Sequence, residues 1–350
     1  MRYDSLKGGK GMLDEMTHTY QEEPKAKKRT PAPIAGSLLY LTVLILLLLS
    51  SVLTRELDTD GSSYYVYLLL TQLLTIGLPT LIFVLWGKKD IKYSLRFGRT
   101  SLAEILLSIG MAIFGYGVII ALNLLWVLFL SQFGTPKTST IPPIDTGKNF
   151  LAALGVIALA PAVLEEFMFR GFIQRGYERG GKVISILLTG VMFAFLHISI
   201  LSIPAIVLMG ILLCFIAYRS NTVWTSMTYH FTNNAIAMSL LYLSSLFMRF
   251  LPEDMEGVST SLTDIPYEEL VPALVAWGVI GFFALLLFGA CLAGFIMVTR
   301  GKQAEVKASM AKAKARFRWT DILPVVFAIV IIIWLLISEV IQMVNPAPIL

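Results

Sequence analysis

Charged residues are scarce in this chain, and cysteines are scarcer still. Only 15% of its 350 residues are charged, 56% are hydrophobic and two are cysteines; the mean hydropathy is +0.75. This composition excludes an ordinary soluble domain and is typical of a polytopic membrane protein. Both cysteines, Cys214 and Cys291, lie inside apolar runs, so the sequence offers no disulfide framework. We interpret them as small buried apolar residues.

Long apolar segments, by contrast, are abundant. The charged or turn-rich breaks between them predict an all-α polytopic membrane protein with about nine transmembrane helices. The segments run roughly over 36–54, 65–86, 102–131, 149–170, 183–199, 203–218, 222–247, 271–298 and 321–343. Segments five and six are short, which favours a tight hairpin.

Lys and Arg are concentrated in every second connection, beginning with the N-terminal tail. This positive-inside pattern predicts a cytoplasmic N-terminus and an outer C-terminus. The net charge of +5 is then explained by membrane orientation and contact with membrane lipid, and we expect no nucleic-acid partner. The chain is therefore expected to be an integral, multi-pass protein of a bacterial cell membrane.

The chain divides into four predicted parts. Residues 1–33 read as a disordered cytoplasmic tail, and 34–131 as three accessory transmembrane helices. Residues 148–247 are predicted to form a catalytic core of four helices, and 271–343 two additional transmembrane helices joined by a basic cytoplasmic connection. No internal repeat is visible, which argues against a transporter built from inverted repeats.

Polar side chains interrupt the apolar helices of the core. An ionisable side chain in a membrane helix costs several kcal/mol unless it pairs or faces a wet cavity, so these residues form a candidate functional site. They are Glu165, Glu166, Arg170, His197, His230 and Asn234.

The two adjacent glutamates are predicted to have different roles. Glu166 and Arg170 are four residues apart, which is the favourable order for an ion pair on one helix face. Glu165 points about 100° away from Glu166 and is not expected to pair with the same arginine. A free carboxylate of this kind suits a general base that takes a proton from water.

Glu165 and His197 are predicted to lie at the same depth. Glu165 is 15 residues before Gly180, and His197 is 16 residues after Gly181. In an antiparallel hairpin both residues would lie about 23 Å from the turn. A carboxylate and an imidazole at matched height can share one water or one metal ion. Phe193, one helical turn before His197, is expected to pack beside it.

His230 and Asn234 are also four residues apart, so both can aim at one point as hydrogen-bond donors to an oxyanion. Asn233 fits the spacing as well, and interhelical hydrogen bonding is the alternative role for all three residues. His230 lies only nine residues after Asn221. If all turns were level, it would sit about 10 Å lower than Glu165.

Three motifs in this order on separate membrane helices resemble the CAAX protease and bacteriocin-processing family, which includes the Ras-converting CAAX endopeptidases. The resemblance covers roughly residues 148–245 and implies an intramembrane endopeptidase whose glutamate and histidine activate water. It implies Glu165 and His197 as the activating pair, and it selects Asn234 over Asn233 as the oxyanion donor beside His230. The motifs are Glu165-Glu166-x-x-x-Arg170, Phe193-x-x-x-His197 and His230-x-x-x-Asn234.

Three classes of function are compatible with these residues. An endopeptidase acting on a peptide or protein tail reached from the cytoplasmic side is favoured. Water is its expected nucleophile, because no serine or cysteine in the core has a base at helical spacing. The alternatives are a non-catalytic bacteriocin-immunity or scaffolding protein and, third, a proton-coupled transporter.

The sequence leaves the catalytic type open between a glutamic and a metalloprotease. Glu165, His197 and His230 would supply two imidazoles and one carboxylate, which is a known catalytic zinc arrangement with an open fourth position. The expected height difference of His230 argues against a shared metal. We therefore predict a site without a cofactor and keep zinc as the alternative.

Overall fold

The computed structural model describes residues 30–53, 61–86, 90–134, 144–250, 267–304, 306 and 317–345. All regular secondary structure in these ranges is helical, which confirms the all-α prediction. The predicted disordered tail falls almost wholly outside the described residues, as does most of the basic connection before Phe317.

The described chain consists of long rods joined by short turns. The α-helices are α1 (Pro33–Leu53), α2 (Gly61–Gln72), α3 (Leu78–Leu85), α4 (Ile91–Ser94), α5 (Leu102–Leu130), α6 (Gly147–Ala153), α7 (Ala160–Glu166), α8 (Gln174–Tyr177), α9 (Lys182–Phe195), α10 (Ile203–Ser220), α11 (Val223–Met248), α12 (Tyr267–Val298) and α13 (Leu323–Val344). Three π-helical segments lie within the rods, namely Leu73–Gly77, Leu154–Leu159 and Phe167–Ile173. Single 3-10 turns are formed by Glu178–Gly180 and Trp319–Ile322.

Seven helical rods in the described ranges are long and apolar enough to cross a membrane. They include the continuous rod Gly147–Gly180, which contains α6, α7 and α8. Two predicted segments correspond to helices outside this group. α9 is apolar but has only 14 residues, and α11 has 26 residues but many polar side chains. The polytopic architecture is confirmed, while the number nine and the orientation stay predictions.

The helix predicted over 183–199 ends earlier than expected. α9 stops at Phe195, so His197 lies in the turn that follows the helix. Ile198 adopts a positive φ of 45°, a conformation that β-branched residues rarely take and that stops a right-handed helix. The chain then reverses into α10, where Pro204 in the first turn needs no hydrogen-bond acceptor for its nitrogen.

The helix that carries Glu165 is irregular because of Pro161. Proline has no N–H, so one carbonyl in the turn before it loses its donor, and this turn is π-helical. Side chains from two other helices replace the missing donor. Gln72 Nε2 donates to the Val156 carbonyl at 3.1 Å and Asn234 Nδ2 to the Ile157 carbonyl at 3.4 Å. The rod is thereby attached to α2 and α11 next to its functional residues.

α9 and α10 approach each other closely through two glycines. A Cβ at Gly210 would lie 2.5 Å from the Gly190 carbonyl oxygen, and a Cβ at Gly190 would lie 2.7 Å from the Ile211 nitrogen. Any side chain at either position would push the helices apart. Arg170 Nη2 reaches the Gly210 carbonyl in this packing, at 3.3 Å.

Arg96 connects the core to the accessory part of the chain. It is fully buried between α4 and α5, and its Nη2 forms an ion pair with Glu178. Its Nε and Nη1 donate to the carbonyls of Arg170 and Ala217, each at 3.0 Å. Its own carbonyl accepts from Val223 N at 3.0 Å. One residue therefore holds the rod Gly147–Gly180, α10 and the start of α11 in place.

The accessory helices form a second layer around the core. α12 packs along α5 through small residues, since Cβ atoms built at Gly117 and Gly281 would lie 3.2 Å from those of Ala284 and Ala121. Such small residues let membrane helices approach closely. The largest buried apolar cluster extends from α1 to α13, so the two additional helices belong to the same packed body.

We expect Gly210→Ala to destabilise the protein by about 1–3 kcal/mol, because its methyl group would overlap the Gly190 carbonyl. The measurement is thermal unfolding of the purified chain in detergent. Gly278→Ala is the matched control, since nothing lies within 4 Å of a Cβ at that position on α12. Equal melting temperatures for the two variants would contradict the close approach of α9 and α10.

Candidate active site

One cavity of about 600 Å³ brings the predicted catalytic residues together. Side chains from the rod Gly147–Gly180, the turn after α9, and α11 share its wall. The cavity is lined, among others, by Glu165, His197, His230, Asn233 and Asn234. Residues that are up to 69 positions apart in sequence therefore face the same space.

A buried carboxylate organises one side of this cavity. Glu166 Oε1 accepts from Arg170 Nη1 at 2.7 Å and from His230 Nδ1 at 3.0 Å. The exposed fractions of the three side chains are 0%, 0% and 2% for Glu166, Arg170 and His230. Because a carboxylate only accepts hydrogen bonds, Nδ1 of His230 carries a proton. Its other nitrogen, Nε2, faces Glu165, with 4.0 Å to Oε2.

The expected height difference between His230 and Glu165 is wrong. His230 lies beside both glutamates, with Nδ1 3.0 Å from Glu166 Oε1 and Nε2 4.0 Å from Glu165 Oε2. The connection between α4 and α5 contacts the turn that precedes α11. In this turn Asn221 takes a left-handed conformation with φ 55°, and Thr222 Oγ1 donates to the Gly98 carbonyl at 3.1 Å.

Of the two adjacent glutamates, Glu165 is the one without an arginine partner. Its side chain is 15% exposed, and Oε2 has no hydrogen-bond partner among the described residues. The neighbouring Glu166 takes the arginine, as the spacing predicts. Glu165 is thus held at the cavity wall without a fixed partner for this oxygen.

His197 presents one ring nitrogen to the cavity. Its Nδ1 lies 2.9 Å from the Phe193 carbonyl oxygen, which can only accept, so Nδ1 is the donor. In the neutral imidazole Nε2 then keeps its lone pair and can accept a proton or bind a ligand. The main chain of the preceding helical turn fixes this tautomer.

Phe193 packs against both imidazoles and the arginine. Its fully buried ring has centroid distances of 4.8 Å to His197 and 5.7 Å to His230, each in an edge-on arrangement. The guanidinium carbon of Arg170 lies 4.2 Å from the ring centroid, within range of a cation–π interaction. One aromatic side chain thereby sets the spacing of three charged or titratable groups.

Asn233 and Asn234 are both at the cavity and hydrogen-bonded to each other. Asn233 Nδ2 donates to Asn234 Oδ1 at 3.3 Å, and Asn234 Nδ2 donates to the Ile157 carbonyl. The second contact is long at 3.4 Å, so Asn234 can exchange it for a better acceptor in the cavity. The two amides remain candidates for the same donor position.

The zinc alternative requires Glu165, His197 and His230 to converge on one point. Within the described ranges, no group of three or more His, Cys, Asp or Glu side chains is arranged to hold a metal ion. Two of the three prospective ligands, Glu165 and His230, are neighbours, but His197 does not complete a cluster with them. The arrangement of these three side chains does not fit zinc.

The cavity has walls that the sequence motifs did not include. Thr71 and Gln72 of α2 and Asn123 of α5 line it, although all three belong to the accessory helices. Gln72 Oε1 and Asn123 Oδ1 are buried without a hydrogen-bond partner in the described part of the chain. An amide inside an apolar helix is the same signal that marked the core residues, and it could have identified these two.

Comparison with known proteins gives one family match. A family model described as "Rce1-like: Type II CAAX prenyl endopeptidase Rce1-like" matches residues 147–236, from the start of α6 into α11. Neither the curated proteins nor the solved structures gave a significant match. The matched segment contains all seven residues of the three motifs. Residues 147–236 of this membrane protein are thus similar to the Rce1-like CAAX endopeptidases.

Proposed function

We propose that this chain is an intramembrane endopeptidase that hydrolyses a peptide bond with water activated by Glu165 and His197. One observation carries the proposal. The free carboxylate of Glu165 shares a cavity with two imidazoles, and both imidazoles have Nδ1 fixed by an acceptor, Phe193 O and Glu166 Oε1. In both rings Nε2 is therefore the nitrogen that can interact with water or substrate in the cavity, which favours catalysis over a purely structural role.

In the proposed reaction Glu165 takes a proton from water while His197 Nε2 orients the same water. The hydroxide oxygen forms a bond to the carbonyl carbon of the substrate, and the carbonyl π electrons move to the oxygen. Glu165 then returns the proton to the leaving nitrogen as the C–N bond breaks. The products are a new carboxylate and a new amine, so no further reactant is needed.

His230 and Asn234 are proposed to stabilise the oxyanion of this intermediate. His230 donates from Nε2 in its imidazolium form, with Nδ1 still bonded to Glu166. Asn234 donates from Nδ2 after leaving the Ile157 carbonyl. His230 is already held by Glu166 before the reaction, which is the condition for effective charge stabilisation in a water-poor site, whereas Asn234 exchanges one acceptor for another.

The proposed substrate is a peptide or protein tail that enters from the cytoplasmic side. The cavity volume of about 600 Å³ is within the range of specific ligand sites and suits a short extended segment. Unpaired amide oxygens at Gln72 and Asn123 are suitable acceptors for backbone N–H groups of such a segment.

We expect Glu165→Gln and His197→Ala each to lower the cleavage rate by about 10²- to 10⁴-fold, the usual contribution of a general base. The measurement is peptidomics of membranes carrying wild-type or variant protein, followed by cleavage assays with the purified chain. Glu268→Gln is the matched control because this carboxylate is exposed on α12. Full biological effect in both variants would instead favour the immunity or scaffolding alternative.

A second expectation concerns metal dependence. Because Glu165 itself is the proposed base, exhaustive chelation should leave the cleavage rate of purified protein within about twofold of the untreated sample, well under one factor of ten. The measurement is the cleavage rate before and after chelation, with zinc and other divalent ions added back. Complete loss that zinc alone restores would contradict the glutamic mechanism and establish the zinc alternative.

The two neighbouring asparagines provide a third comparison. Asn234→Ala should lower kcat by about 10²- to 10³-fold, as expected for an oxyanion donor, whereas Asn233→Ala should have a smaller effect. The measurement is kcat and KM for both variants at matched folding, checked by thermal unfolding. A larger loss of kcat in Asn233→Ala would transfer the donor role to that residue.

A further inference from the structure

The turn that carries His197 is an unusual structure for the interior of a membrane. α9 has 14 residues, so this turn lies about 21 Å from the start of the helix. Residues 196–202 lie outside the α-helices, and the N–H groups of His197 and Ile198 donate over three residues, to the carbonyls of Ala194 and Phe195. At membrane depth such a non-helical backbone is tolerated only where it is buried in protein or lines a water-filled cavity.

Side chains from two accessory helices satisfy the peptide groups of Ile200 in this turn. Its N–H donates to Glu339 Oε2 of α13 at 2.9 Å, and its carbonyl accepts from Trp126 Nε1 of α5 at 2.7 Å. Ile200 is three residues after His197 and two after Ile198 with its positive φ. The turn is therefore held from both sides immediately after the imidazole.

Glu339 is the one acidic residue within α13. It is five residues before Val344, where α13 ends. An ionisable residue within an apolar membrane helix is costly unless it has a specific partner. The Ile200 amide is the partner that the structure provides.

We propose that Glu339 and Trp126 are positioning residues that hold the turn after α9 and thereby fix His197 against Glu165. This inference rests on the proposed function only for its effect on catalysis. The two residues contact neither substrate nor the reacting atoms. They act through the backbone of Ile200, and both lie outside the segment 147–236 that matches the family model.

The test compares Glu339→Leu with Glu339→Gln in the full-length protein in lipid nanodiscs. Leucine fills the space but accepts no hydrogen bond, whereas the glutamine oxygen still accepts from Ile200 N. We expect Glu339→Leu to speed amide hydrogen exchange in residues 196–202 by about 10- to 100-fold, the effect of losing one hydrogen bond to a charged group. Glu339→Gln should stay near wild type.

Cleavage kinetics supply the second measurement. Glu339→Leu should lower kcat with little change in KM, since Glu339 and Trp126 do not contact substrate in the proposal. Glu339→Gln should restore kcat. Trp126→Phe keeps the ring stacked on Phe129 but removes the indole N–H, so it should repeat the Glu339→Leu result. Ser338→Leu is the matched control, because its hydroxyl bonds only within α13.

The outcomes separate the positioning role of Glu339 and Trp126 from the proposed function. Faster exchange in Glu339→Leu and Trp126→Phe, with rescue by Glu339→Gln, supports the positioning role even if neither the wild-type protein nor any variant cleaves peptide. Exchange rates in Glu339→Leu and Trp126→Phe that equal the wild-type rate overturn it. A rise in KM at constant kcat, or equal loss in Glu339→Leu and Ser338→Leu, also overturns the positioning role.

Discussion

The structure depends on how one carboxylate, that of Glu166, is paired inside the membrane. A buried charge without partners would cost several kcal/mol, and removing one partner of such a pair is strongly destabilising. Glu166 Oε1 meets this constraint with two donors, Arg170 from its own rod and His230 from α11. The pairing makes Nδ1 of His230 a donor, joins two helices and leaves Glu165 Oε2 without a hydrogen-bond partner among the described residues. A paired carboxylate therefore lies next to a carboxylate that the arginine does not bind.

Helical spacing in the sequence predicts much of the site, but it does not predict the relative heights of the residues along their helices. The interval between Glu166 and Arg170 was sufficient to predict their ion pair, and that between Phe193 and His197 was sufficient to predict their contact. Spacing misplaced His230 because it assumes level turns, whereas the turn at Asn221 and Thr222 is bonded to Gly98 in a distant connection. It also extended α9 past His197, since the left-handed Ile198 has no sequence signal of its own. Errors of this kind arise wherever tertiary contacts determine a turn.

The functional unit is larger than the motifs. Accessory helices contribute Gln72 and Asn123 to the cavity, and the connection between α4 and α5 contributes Arg96 to the packing of three core elements. None of these residues belongs to the segment 147–236 that matches the family model. The helix before Pro161 shows the same dependence, because two of its carbonyls accept from side chains of α2 and α11. The irregular helix around Glu165 is therefore a product of the whole bundle.

The bond between Ile200 and Glu339 has a consequence for biosynthesis. Membrane helices leave the ribosome in order, from the N-terminal end, and α13 follows α10 and α11 only after a long interval. Until α13 has inserted, the Ile200 amide has no acceptor and the histidine turn lacks one of its two supports. Under the proposed function and the proposed role of Glu339, a nascent chain that already contains every motif residue would therefore be a poor peptidase until α13 is in the bilayer.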